Sequence, residues 1–433
     1  MRIPVPKSKC PSEQQQHADI PSAPQRLPSA RKFVQSLIVQ MSNERLEKSR
    51  QCALPYFSTD SMIAAYIDSR LKFCENSESV TASAFGSALL GPSQISCLPL
   101  NVLSQIDQPT LCEAHAVAMQ LPLVVNSEGN SPWLHLQHGA LLGSCKKMGN
   151  IPPKVLTHCL HDWFEEAFRS SSNVTCDEWI EEDTYIISRH DSLSSWHTLN
   201  DMWFSFLSAS IFNLQPSSSR LIFADSQPPG PALPFWLAAF TTSAPLSLLQ
   251  LAKQAMRRGT RTLCFRRAIF NPSATTSVLE RSCQFVPGRM ACNDNLLLQA
   301  FAAHSRALMN GGDAPLDEDG SALSLYILKD DPLPPSSHDL FALLQRQFSS
   351  SASIAVASAK RTPFGDIVNS LARTSILLAT SDAAAAFAVY LRPLSSCISL
   401  QFDEAPLLRM QLVTSWARII YYKSATLHIS LPQ

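Results

Sequence analysis

The sequence predicts an α/β protein, and three observations carry that expectation. From residue 321 onward, short apolar runs alternate with helical stretches of about ten residues joined by short loops, the pattern of a parallel sheet with helices on its faces. Residues 176 to 240 alternate in the same way. Hydrophobic residues make up 45% of 433, enough for two or three domains with proper cores.

In order along the chain, residues 1–30 are rich in Pro, Ser and Gln and read as a disordered tail. Mixed helical patterns begin at "ARKFVQSLIVQ", opening an N-terminal lobe that spans residues 31–310. Within it "TYIIS" is a short strand, "SWHTLNDMWFSFLSASIF" has helical spacing and "SRLIFAD" is a strand ending in an aspartate. "RTLCFRRAIF" reads as a strand or hairpin, and "NDNLLLQAFAAHSRALMN" as a long amphipathic helix. The acidic, aperiodic stretch at residues 311–320 reads as a linker. Residues 321–433 follow as a Rossmann-like lobe: strand "ALSLYILKD", helix "SSHDLFALLQRQF", strand "ASIAVASA", helix "FGDIVNSLART", strand "SILLAT", helix "DAAAAFAVYL" with Asp382 as its N-cap, strand "CISLQF".

Composition narrows the function. Lys plus Arg equals Asp plus Glu at 35 each, so no net field draws the chain to nucleic acid or an anionic membrane. The 12 cysteines include no C-x-x-C pair, and His158, Cys159 and His161 match no common ligand spacing, so no metal is assigned. The cysteines suit disulfides in an oxidising compartment and buried thiols equally. Asn173-Val-Thr is a glycosylation acceptor in a lumenal protein. The first 25 residues hold no continuous apolar segment of the signal-peptide kind, and no run of about 18 apolar residues suggests a membrane span. His197 and Asp201, four apart on a helix, share a face; taken alone, such a pair serves structure more often than chemistry.

The run "CDEWIEEDTYIISRHDSLSSWHTLNDMWFSFLSAS" resembles glycosyltransferase family 61 and its EGF-domain-specific O-linked N-acetylglucosamine transferases. Cys176, Asp177, Glu181 and Glu182 match the acidic lead-in, and His197 and Asp201 match the helix, with Ser194 in place of asparagine. Asp225, Trp236, Ala239, Phe240 and Thr241 then follow in the family's order, and "LCEAHAVAMQL" upstream carries His115 in place of asparagine. The resemblance, over about residues 110 to 425, implies a GT-B architecture of two Rossmann-like lobes around a cleft. It implies transfer of a sugar, N-acetylglucosamine in the best-matched members, from a UDP-sugar to a Ser or Thr hydroxyl of a protein acceptor, with no other cofactor. It places such an enzyme in the endoplasmic reticulum or Golgi lumen, while the N-terminal sequence leaves the cytosol as the alternative. His197 and Asp201 would be catalytic, facing the interlobe cleft, with either one as base. Asp225, Lys329, Ser381 and Asp382 would bind substrate.

The donor side departs from the family. In "TSILLATSDAAAAF", Ser375 replaces an aspartate, Ser381 a histidine, and Asp382 and Ala384 the two glycines of the His-Gly-Ala-Gly segment. An arginine-rich segment is reduced to Lys329 before Asp330 and Asp331, and Asp366 replaces a glutamine. A carboxylate where a diphosphate sits opposes binding. The alternative reading is therefore a non-catalytic glycan- or protein-binding homologue.

Overall fold

The computed structural model describes residues 71–75, 89–99, 110–123, 125–126, 135–136, 139–148, 167–189, 191–215, 218–240, 244–271, 296–310, 323–329, 336–348, 352–391, 395–399 and 418–421. The tail assigned to residues 1–30, the linker 311–320 and the cluster of His158, Cys159 and His161 lie outside the described residues.

The first lobe opens with strands β1 (Leu71–Glu75), β2 (Gln94–Pro99), β3 (Thr110–Gln120), β4 (Val125–Asn126), β5 (His135–Leu136), β6 (Leu141–Gly143), β7 (Lys147–Met148), β8 (Phe168–Ser170) and β9 (Glu178–Ile180). Strand and helix then alternate: β10 (Asp183–Ile187), α1 (Ser195–Phe212), β11 (Ser219–Phe223), α2 (Leu233–Phe240), β12 (Leu246–Ser247), α3 (Leu248–Arg257), β13 (Thr262–Asn271) and α4 (Leu296–Asn310). The sheet runs β12-β11-β10-β13-β3-β2-β1-β7, with β6, β8 and β9 attached beside it and β4 paired to β5 separately. Strands β10 to β13 are parallel to one another. The chain steps outward from β10 to β11 and β12, then returns to place β13 on the other side of β10. That reversal is a topological switch point, where α/β sheets open a crevice at the carboxyl ends of their strands. Beyond β13 the pairing turns antiparallel.

The second lobe is β14 (Leu323–Lys329), α5 (Ser336–Phe348), β15 (Ala352–Ser358), α6 (Phe364–Ala372), β16 (Ile376–Ala379), α7 (Asp382–Ala385) running into a 3₁₀ turn at Ala386–Tyr390, β17 (Ser396–Ser399) and β18 (Arg418–Tyr421). Its sheet, β15-β14-β16-β17-β18, is parallel throughout. Order 2-1-3-4-5 puts its switch point between β14 and β16. The architecture is thus α/β with two Rossmann-like lobes, as the sequence predicts.

Helix α1 is apolar around most of its girth, with Leu199, Met202, Trp203, Phe204, Phe206, Ile211 and Phe212 all buried. Such a helix has to be enclosed. The buried hydroxyls of Ser208 and Ser210 escape desolvation by donating to Phe204 O and Phe206 O, 2.8 Å each. The helix stops where Asn213 turns left-handed at φ 52°. Helix α4 lies between the lobes: Phe301 meets Trp203 and Phe206 of α1, Phe235 of α2 and Tyr390 of the second lobe. One apolar core runs without a break from Tyr185 and Trp203 through Phe301 to Phe364 and Phe387.

Three disulfides, Cys74–Cys145, Cys97–Cys112 and Cys176–Cys264, close the first lobe, and Cys397 is a buried thiol in the second. Of the two uses of cysteine that the sequence allows, the described residues therefore show both.

Candidate active site

At the carboxyl end of β10, Arg189 is buried against Asp225, which follows β11. Arg189 Nη2 donates to Asp225 Oδ1 at 2.7 Å, and Nε and the backbone N–H donate to Oδ2 at 3.1 and 3.0 Å. The other guanidinium donors reach the carbonyls of Gln227, Pro228 and Pro229 at 2.9–3.0 Å. All five guanidinium donors are used within the chain. Asp225 Oδ1 accepts once more, from the Gln227 N–H at 3.0 Å. The pair thus folds the loop after β11 around itself. The loop comes so close to Ser192 that a Cβ on Gly230 would stand 2.3 Å from the Ser192 carbonyl oxygen, and Gly230 has φ +78°. Only glycine fits there.

That loop delivers Pro231 and Ala232 to a crevice between the lobes. From α1 come Ser195, Thr198 and Leu199; from the second lobe come Ala359, Thr362, Phe364, Ile367 and Phe387. The cavity itself is about 10 Å³, room for about one water molecule, within ≈ 260 Å³ of space that includes the open solvent at its mouth. The walls are mostly apolar, with three hydroxyls among them. It lies at the carboxyl ends of the parallel strands of both lobes and at the first turns of α1 and α6.

On the second-lobe side, residues 358–362 form a tight turn. Ser358 Oγ accepts from the Lys360 and Arg361 amides at 3.3 and 3.2 Å, and Thr362 Oγ1 accepts from the Ser358 N–H at 3.1 Å. Both amides face inward, and the residues Lys360 and Arg361 are exposed beside the crevice residues Ala359 and Thr362. Lys329 ends β14 opposite Ser358, its carbonyl accepting from Ala359 N–H at 2.8 Å. Ser381 follows β16 on the other side of the switch point. It is Ser381, through an oxygen accepting from Ala384 N–H at 3.0 Å, that caps the next helix, one residue before the cap expected at Asp382; Asp382 is the first helical residue.

His197 and Asp201 sit one turn apart on α1, His197 half-buried and Asp201 only 2% exposed. At 100° per residue they lie about 110–150° around the axis from the face that Ser195, Thr198 and Leu199 give to the crevice. The crevice wall is made by those three, where the sequence pointed to the pair. Burial pushes the pKa of the Tyr185 hydroxyl up to about 12, and the charge of Asp201 adds to that rise. That hydroxyl donates to Ser205 Oγ at 3.1 Å and accepts from Asn271 Nδ2 at the end of β13. A polar cluster of Tyr185, Asn271, Ser205 and Ser208 therefore sits beneath α1 at the first lobe's switch point.

Of the residues singled out in the sequence, Lys329 and Ser381 come together at one switch point, Asp225 is locked to Arg189 and the side chain of Asp382 lies outside the described residues. Arg189, Thr362, Lys360 and Arg361 were not legible. The signal for Arg189 was a charged residue two positions after the apolar strand "TYII". Among the described residues no three His, Cys, Asp or Glu side chains gather as metal ligands, and no helix is long and apolar enough to cross a membrane.

No family model matches the chain. Over 102 residues, 24% of this chain, it is 28% identical to a beta-1,2-xylosyltransferase of Arabidopsis thaliana, and the match spans 17% of that protein's length. The chain is distantly similar to a glycosyltransferase.

Proposed function

We propose that the protein transfers a sugar from a UDP-sugar to a Ser or Thr hydroxyl of a protein, with the donor in the interlobe crevice. The observation that carries this reading is the crevice itself, which lies at the carboxyl ends of the parallel strands of both lobes. Once the crevice widens, the nucleoside and sugar would lie on the apolar wall of Leu199, Ala232, Phe364 and Phe387, which keeps water from the reacting carbon. Thr362 keeps its hydroxyl proton for donation, since its oxygen already accepts from Ser358. Lys329, Lys360 and Arg361 supply the positive charge that a departing diphosphate needs.

In the reaction the acceptor oxygen bonds to the anomeric carbon, the bond from that carbon to the diphosphate breaks, and UDP leaves with the electron pair. The acceptor's proton passes to a base. The described residues lining the crevice include no imidazole or carboxylate, and His197 and Asp201 sit on another face of α1, so a base drawn from that pair would have to act from outside the crevice. The match to a xylosyltransferase favours xylose as the sugar, and the motif order favours N-acetylglucosamine. The three disulfides favour the lumen of the secretory pathway, an oxidising compartment.

One observation favours the non-catalytic reading. Ala384, Ala385, Ala386 and Ala388 are buried side chains where glycine would let amides close on a diphosphate, and the Ala384 amide is already taken by Ser381. The deciding experiment is a screen of UDP-xylose, UDP-N-acetylglucosamine and other UDP-sugars with Ser/Thr acceptor peptides, alongside thermal melts in UDP. Transfer from one donor, with a rise in Tm that follows RT ln(1 + [L]/Kd), is expected. A rise in Tm without transfer would establish the non-catalytic reading, and no rise with any nucleotide would exclude a donor site here.

A further inference from the structure

We propose that Asn173 carries an N-linked glycan. Asn173-Val174-Thr175 is the one Asn-x-Ser/Thr triplet in the 433 residues without proline at its centre; Asn271-Pro272-Ser273 is blocked by its proline. The structure turns the triplet outward. Asn173 and Thr175 are exposed while Val174 between them is 5% exposed, the alternation of an extended chain. Val174 O accepts from Leu90 N–H at 2.8 Å, and Thr175 bridges Leu89. The asparagine amide and the threonine hydroxyl, the two groups that such an acceptor must offer, thus both belong to exposed residues.

The second observation is redox. Cys176, the next residue, is bonded to Cys264, and two more disulfides close the same lobe. Disulfides persist in the oxidising lumen where oligosaccharide is delivered to asparagine. The geometry also leaves room. The triplet precedes β9, which pairs with β13 at Leu263–Phe265, whereas the crevice lies at the other end of β13, beyond Asn271. Eight residues of strand separate Leu263 from Asn271, about 27 Å. A glycan at Asn173 would shield the disulfide-bonded end of the lobe and leave the crevice open.

In the modification Asn173 Nδ2 bonds to the anomeric carbon of an oligosaccharide carried on a lipid diphosphate. The bond from that carbon to the diphosphate oxygen breaks, the lipid diphosphate leaves with the electron pair, and the amide loses a proton to the base of the transferring enzyme. This inference stands apart from the transferase reading. Its test is peptide mass spectrometry on the full chain, expressed with its own N-terminus in eukaryotic cells, with thiol alkylation to count disulfides. The expected result is one glycan on the Asn173 peptide, absent from Asn173→Gln and Thr175→Ala and kept in Thr175→Ser. Bare Asn173 in protein whose disulfides have formed would overturn the proposal. Bare Asn173 with reduced cysteines would overturn it too, and would remove the compartment argument with it.

Discussion

Arg189 holds Asp225 in a place where neither charge reaches water, so each depends on the other for its solvation. Removing the carboxylate leaves a guanidinium buried with three carbonyls and no counter-charge. Asp225→Ala is expected to lose about 3–5 kcal/mol of stability, measured as a lower denaturation midpoint. Two buried groups set the acid limb in pH windows that meet between 4 and 4.5. Burial works against ionisation of Glu113, yet the hydrogen bond from His115 and the charge of Arg267 hold its pKa down to about 2, against 4.5. Its folded pKa is depressed, so its contribution is complete above about 4.5 and is lost as pH falls toward 2. Burial lowers His304 to about 4, from 6.5. The unfolded chain binds a proton there first, so stability falls as pH drops from 6.5 through 4. His304→Met should flatten denaturation midpoints between those two values and leave the steeper loss below 4.5. At this scale the sequence shows Asp225, because an aspartate closes an apolar strand. It hides Arg189, because only the parallel pairing of β10 with β11 brings together residues 36 apart.

From residue 323 to 399 the alternation of strand and helix is legible to within a residue or two, since each strand is a short β-rich run, while β18 was not read from the sequence. "SWHTLNDMWFSFLSASIF" is helical over its whole length. The antiparallel half of the first lobe is less legible: β6, β7 and β8 have only two or three residues and no period to read, and β3 is buried on both faces from Cys112 to Met119 save His115, so it does not alternate. "DAAAAFAVYL" reads as one helix, yet it tightens to 3₁₀ after Ala385. In a 3₁₀ turn residues three apart eclipse, which sets Phe387 and Tyr390 side by side against Phe364. Helix α4 shows its amphipathic face in the sequence but not that both lobes share it. Phe301→Ala should therefore cost about 3–5 kcal/mol and lower the stability of the whole chain, read as one unfolding transition shifted to lower denaturant.

At the scale of the molecule, balanced charge leaves local cations to do the steering. Lys360 and Arg361 are the exposed pair at the crevice rim. If UDP binds there, replacing either with alanine should weaken binding by about three- to tenfold, with a smaller effect at 1 M salt, by titration calorimetry. Nothing in the sequence marked this pair, because its meaning comes from the turn that follows β15 and from the switch point beside it. The apolar walls were equally hidden, since α1, the loop after β11 and α6 each supply only two or three residues.

The core that passes unbroken through Phe301 has one more consequence. Two-lobed proteins can swing one lobe against the other and close on a ligand. Here separation would pull Phe301 away from Tyr390 and Phe235 from Phe364, exposing aromatic surface to water. As it stands the crevice has room for about one water, so a nucleotide sugar could enter only if these aromatic contacts gave way. Entry would then cost packing shared by both lobes, and amide hydrogen exchange in α1, α4 and α6 should change together or not at all when a ligand is added.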